Sequence, residues 1–133
     1  MEVSRELAEQ ELDRFIEAND LDFDVEGVGD EERDSVLSTR RKLTKAIQNG
    51  KLSVDEKGVI TVHPTKSENQ SPVVFSRTTG ACILAADRRG AKENVAKLFL
   101  VMAELTGCES SRFSKMHIAD SKLCQVVTGV FLA

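Results

Sequence analysis

The stretch from Leu52 to Val62 leaves this chain little conformational choice. Leu52-Ser53-Val54 and Val59-Ile60-Thr61-Val62 are rich in β-branched and apolar residues, which suit a pleated, half-buried surface. The four residues between them are Asp55-Glu56-Lys57-Gly58. A tight reversal between antiparallel strands needs a residue that accepts positive φ, and Gly58 stands at that place. A β-hairpin over 51–63 is therefore expected. His63 to Ser71 reads as a polar loop, and Pro72 to Phe75 as a third short strand. Together they make a small antiparallel meander over about residues 51–76.

Helical spacing governs most of what remains. Ser4 can cap a first helix over 3–18, with Leu7, Ala8, Leu12, Phe15 and Ile16 on one stripe. Leu21, Phe23 and Val25 alternate with Asp22, Asp24 and Glu26, and a period of two predicts a short half-buried strand. Asp30 is placed to cap a second helix over 30–49. Val36, Leu37, Leu43, Ala46 and Ile47 form its buried stripe, and Asn49-Gly50 its stop. After residue 77 the chain reads as helical to its end. One helix starts at Thr78 or Thr79, runs through Cys82, Ile83, Leu84 and Ala86, and stops before Gly90. A second covers Ala91 to Leu105, with Val95, Leu98, Phe99, Met102 and Leu105 inward, and stops at Gly107. Ser110 to Met116 holds a turn or two. Asp120 opens a last helix striped by Leu123, Val126, Val127, Val130 and Phe131. The expected class is α+β, mostly helical with a small antiparallel sheet. At 133 residues the chain is the size of one domain. The loop over 63–71 is the only place where a boundary could fall.

Composition bounds the function. The net charge is −4, but it is unevenly laid out. Residues 1–34 hold fourteen acids and three bases, a balance of −11, and the remainder stands at +7. Such polarity has three readings: an acidic arm on its own basic body, an acidic arm on a neighbouring copy, or a solvated face. There is no Trp, no Tyr and only six Phe, so large aromatic anchors and stacking platforms lack their material. The longest uncharged run, Leu123 to Ala133, is far short of the ~20 residues that span a bilayer. The acidic opening is unlike a signal peptide. Cys82, Cys108 and Cys124 are an odd number with no CxxC spacing, as expected of reduced thiols in a cytosolic protein. No cofactor, metal or membrane partner is expected.

The candidate chemistries each have a structural counterpart. A Cys108–His117–Asp120 grouping has the residue types for nucleophilic catalysis, but a surface His and a helix cap at Asp120 account for the same residues. Ser76-Arg77-Thr78-Thr79-Gly80 leads from a strand into a helix but lacks the Lys and second Gly of a phosphate loop. The alternating acids of 20–26 lack the spacing of a calcium loop. Arg40, Arg41 and Lys42 form a basic run late in the second helix, where cations complement the helix dipole or contact nucleic acid. Val130, Phe131 and Leu132 lie next to the final Ala133, with no polar tail after them. The expectation is a non-enzymatic protein whose site is a surface: Arg40, Arg41, Lys42, Val130, Phe131 and Leu132.

A longer pattern covers residues 72–133. Val73-Val74-Phe75-Ser76-Arg77-Thr78-Thr79-Gly80 is followed by Ala103-Glu104-Leu105-Thr106-Gly107, then Asp120 and Phe131-Leu132. This order resembles the phage tail assembly chaperones. The resemblance implies a non-catalytic protein of the bacterial host cytoplasm that coats tape-measure protein, brings tail-tube subunits to it and self-associates. The alternative from the residues is a small nucleic-acid-associated or regulatory protein using the basic second helix.

Overall fold

The computed structural model describes residues 3–80 and 94–132. It is α+β, mostly helical, with one small antiparallel sheet. In chain order the elements are α1 (Arg5–Ala18), α2 (Asp30–Gln48), β1 (Leu52–Val54), β2 (Ile60–Val62), β3 (Val73–Val74), α3 (Asn94–Thr106), α4 (Ser110–Ser114) and α5 (Ile118–Leu132). The strands lie in the order β1-β2-β3, with Thr61 opposite Val74 and Val62 opposite Val73. Two compact units divide the chain, Met1–Ile60 and Thr61–Ala133. Their boundary falls inside β2, just ahead of the loop over 63–71. The expected helix through Cys82 to Ala86, and the start of the next at Ala91, lie outside the described residues.

In the first unit, Ser4 caps α1, its Oγ accepting from Leu7 N at 3.3 Å. The helix ends in a Schellman motif. Asp20 N donates to Glu17 O and Leu21 N to Ile16 O, with Asp20 itself at φ +51°. The same motif closes α2: Gly50 N reaches Ile47 O, Lys51 N reaches Ala46 O, and Gly50 stands at φ +76°. Ala8, Leu12 and Phe15 pack with Leu43, Ala46, Ile47, Leu52, Val54 and Ile60 in the core of this unit. Leu7, placed on the apolar stripe by its spacing, is instead 52% exposed, and Leu37 is 38% exposed. The buried residues of α2 all lie in its C-terminal half, from Leu43 to Ile47. Gly29 rather than Asp30 occupies the N-cap of α2, so Asp30 becomes the first helical residue.

Polar side chains of α1 and of its C-cap Asn19 hold the hairpin. Glu11 Oε1 accepts from Val54 N at 3.1 Å. Arg14 donates to Val54 O at 2.8 Å and Asp55 O at 2.7 Å. Asn19 Nδ2 reaches Gly58 O at 3.3 Å. In the turn, Gly58 N donates to Asp55 O, and Asp55 Oδ1 accepts from Lys57 N and Val59 N. Gly58 takes φ +83°, and a Cβ there would collide with Ala18 Cβ and stand 3.0 Å from Arg14 O. The glycine therefore answers both to backbone geometry and to the close approach of α1.

The segment 21–28 forms no strand, although Leu21, Phe23 and Val25 alternate as one would. The reason is local. Asp22 Oδ1 accepts from Asp24 N at 3.0 Å, and Asp24 Oδ1 from Glu26 N at 2.9 Å. These turns take up the N–H groups that a ladder would need.

In the second unit, Val62, Val73, Phe75, Val101, Met102, Leu105, Phe113, Cys124, Val127 and Val130 are buried. Phe75 stacks on Phe131 at 6.3 Å and Phe99 on Phe113 at 6.4 Å between ring centroids. Buried Thr128 returns its hydroxyl to Cys124 O at 2.8 Å, so it leaves no unpaired polar group in the core. Gly107 ends α3 at φ +73°, with the Arg77 guanidinium lying where its Cβ would be.

Candidate functional site

The polar centre of the second unit is Asp120, in the first turn of α5 and only 5% exposed. Its Oδ1 accepts from Thr65 N at 3.2 Å. Its Oδ2 accepts from Lys66 N at 3.1 Å, Ser67 N at 2.8 Å and Ser67 Oγ at 2.6 Å. The Ser67 hydroxyl also accepts from His117 N at 3.0 Å. A loop with no regular structure is thus pinned to a helix start through one carboxylate. Burial alone would raise the Asp120 pKa. The Ser67 hydroxyl and the three backbone N–H groups outweigh it and hold the carboxyl below its ordinary range.

This network decides how the Cys108–His117–Asp120 grouping is used. Both Asp120 oxygens are occupied by the loop. His117 Nδ1 accepts from Ala119 N at 3.1 Å, so the imidazole acts as the N-cap of α5. Cys108 Sγ accepts from Arg112 Nη1 at 3.6 Å. These hydrogen bonds lead the three side chains to other partners and form no nucleophile–base–acid relay among them.

An open pocket of about 450 Å³ lies between loop residues Ser67–Asn69 and α4 with its flanks, including Cys108, Arg112, Lys115 and Met116. Its lining carries Glu68 and Glu109 against Arg112 and Lys115, so the charges balance. Arg112 is turned to internal use. Nη2 donates to Ser71 O and Nη1 to Cys108 Sγ, while Nε is buried without a partner. Cys124 lies fully buried. Burial first, and then the Asp120 carboxylate, push its thiol up to about 12, against the opposing pull of Arg112. It packs as a small hydrophobe. Cys82 lies outside the described residues. Among the described residues, no group of three or more His, Cys, Asp or Glu could hold a metal ion, and no helix is long and apolar enough to cross a membrane.

The residues expected to form an interaction surface fall into different settings. Arg40 Nη2 pairs with Asp13 Oδ1 at 2.6 Å, which ties α2 to α1. Arg41 and Lys42 are exposed on α2. Val130 is buried and therefore belongs to the core, on the side of α5 that also buries Val127 and Cys124. Phe131 is half-buried against Phe75. Leu132 is 37% exposed and, at the other end of α5, Ile118 is 64% exposed.

Ser67 and Arg112 were not singled out by sequence reasoning. Their partners stand 53 and 41 residues away, beyond any local pattern. In comparison with known proteins, no family model, no curated protein and no solved structure matches the chain.

Proposed function

We propose that the chain is a non-enzymatic assembly protein of the phage tail assembly chaperone type, binding tape-measure or tail-tube protein in the host cytoplasm through helical surface. One observation carries the reading: α5 has more apolar residues than its own unit covers. Ile118 and Leu132 stand exposed at its two ends, while Cys124, Val127 and Val130 are buried between them. A helix apolar over most of its circumference and left partly open suits a helical partner. The order of strand, turn, helix stopped at Gly107 and helix opened near Asp120 supports the same reading. The nucleic-acid alternative rests on Arg41 and Lys42, but residues 1–60 hold sixteen acids and nine bases, a balance that repels phosphates.

The test is co-expression with tail-tube and tape-measure proteins, followed by capture on the tagged chain. One of them should be retained. Ile118→Asp and Leu132→Asp should release it while circular dichroism stays unchanged. Retention of neither protein by the wild-type chain defeats the proposal.

A further inference from the structure

The exposed face of α2 has an internal symmetry that packing within the unit does not use. Asp30, Asp34, Leu37, Arg41 and Lys45 follow one another at spacings of four, three, four and four, which places them on one stripe of the helix. All five are exposed. They lie away from Leu43, Ala46 and Ile47, which face the core, while buried Thr44 borders the stripe beside Arg41. Arg40 turns aside to Asp13, and neither that pair nor Arg5–Glu9, the other ion pair among the described residues, uses a charge of this stripe. Along the stripe the order is acid, acid, leucine, base, base. Neighbours one turn apart are like-charged at both ends, so no ion pair forms within the stripe itself.

We infer that α2 is a self-pairing helix: two copies of the chain associate antiparallel along this stripe, about a two-fold axis beside Leu37. An antiparallel match sets Asp30 against Lys45 and Asp34 against Arg41 of the second copy, and repeats both pairs by symmetry. Leu37 meets its counterpart at the centre. A two-fold interface needs a patch complementary to itself, and this stripe, about 22 Å long at ~1.5 Å per residue, is one. A parallel match opposes like charges at all four positions, so the charge order also selects the orientation. The inference rests on the first unit alone and stands whether or not the chain binds tail proteins.

Sedimentation equilibrium of the full chain provides the test. At about 20 mM NaCl the wild type should show concentration-dependent dimers, loosened at about 500 mM, where charges are screened within ~4 Å. Asp30→Lys with Asp34→Lys makes the stripe all basic, and Arg41→Asp with Lys45→Asp makes it all acidic. Each double variant should be monomeric alone, and the two mixed in equal amounts should dimerise. Asp34→Asn with Arg41→Gln disturbs the helix least and should weaken the dimer roughly tenfold, as expected for removing exposed ion pairs. A wild type that stays monomeric at low salt overturns the inference. So does a wild-type dimer that is indifferent to salt, or one unaffected by the neutral variant. A monomeric mixture of the two folded, reversed variants does the same.

Discussion

Replacing Asp120 by alanine separates a structural carboxylate from a catalytic one. The carboxylate receives four hydrogen bonds from three consecutive loop residues. Thr65 and Lys66 are exposed, so water can take their N–H groups at little cost. Ser67 is 7% exposed, and both its N–H and its hydroxyl would lose their acceptor. At about 1–3 kcal/mol for each buried donor left unpaired, the variant should lose about 3 kcal/mol. Asp120→Asn keeps one acceptor but sets an NH₂ against the loop donors, and should lose about 2 kcal/mol. Urea unfolding followed at 222 nm measures both. Ser67→Ala in the Asp120→Ala background should add less than it does alone, because the two share one contact. The pH dependence has a definite sign. The folded pKa lies below the ordinary value of 3.8, so the carboxylate stabilises the fold above that value. The contribution is lost as pH falls through the folded pKa. Asp120→Asn should flatten that acid limb. A loss below about 1 kcal/mol for Asp120→Ala would refute the argument that burial leaves Ser67 dependent on this carboxylate.

Other outcomes follow from the same geometry. Gly58→Ala should cost about 3 kcal/mol in urea unfolding through positive φ and the clash with Ala18, and Ala18→Gly should recover part of it. Asp20→Gly should stabilise by about 0.5–1 kcal/mol, because Asp20 sits at φ +51° where glycine is unstrained. Arg14→Ala should cost about 1–2 kcal/mol by taking the guanidinium away from Val54 O and leaving Asp55 O only the Gly58 N donor. Cys124, its thiol pushed up to about 12, should resist iodoacetamide at neutral pH in the folded chain and react on unfolding, as peptide mass mapping would show.

Features governed by near neighbours were legible before the structure. The Ser4 cap, the Gly50 and Gly107 stops and the hairpin closed at Gly58 each depend on a few adjacent residues, and the α+β class follows from them. Burial direction was less legible. Leu7 and Leu37 fit the apolar spacing of their helices yet stand exposed, because a stripe fixes an angle on a helix but not how much of it a neighbour covers. The arm at 21–25 misled for a different reason. Its period of two was real, but the carboxylates hydrogen-bond to their own backbone, a competition that hydropathy does not register. The Asp120 network was illegible because it joins residues more than fifty positions apart. Of the expected surface, the exposed state of Leu132 and Arg41 followed the sequence reasoning, whereas Val130 did not, since one position along a helix turns a side chain by about 100°.

The turns at Asp22 and Asp24 also bear on how the chain behaves in a crowded solution. Alternating Leu21, Phe23 and Val25 beside a free backbone would be an open invitation to another chain's strand, the usual seed of edge-to-edge aggregation. By occupying the N–H groups of Asp24 and Glu26, the acidic side chains withdraw the donors on which such a strand would grow, and their charge repels a second copy of the same arm. The acids of this segment therefore work against strand-to-strand pairing between copies.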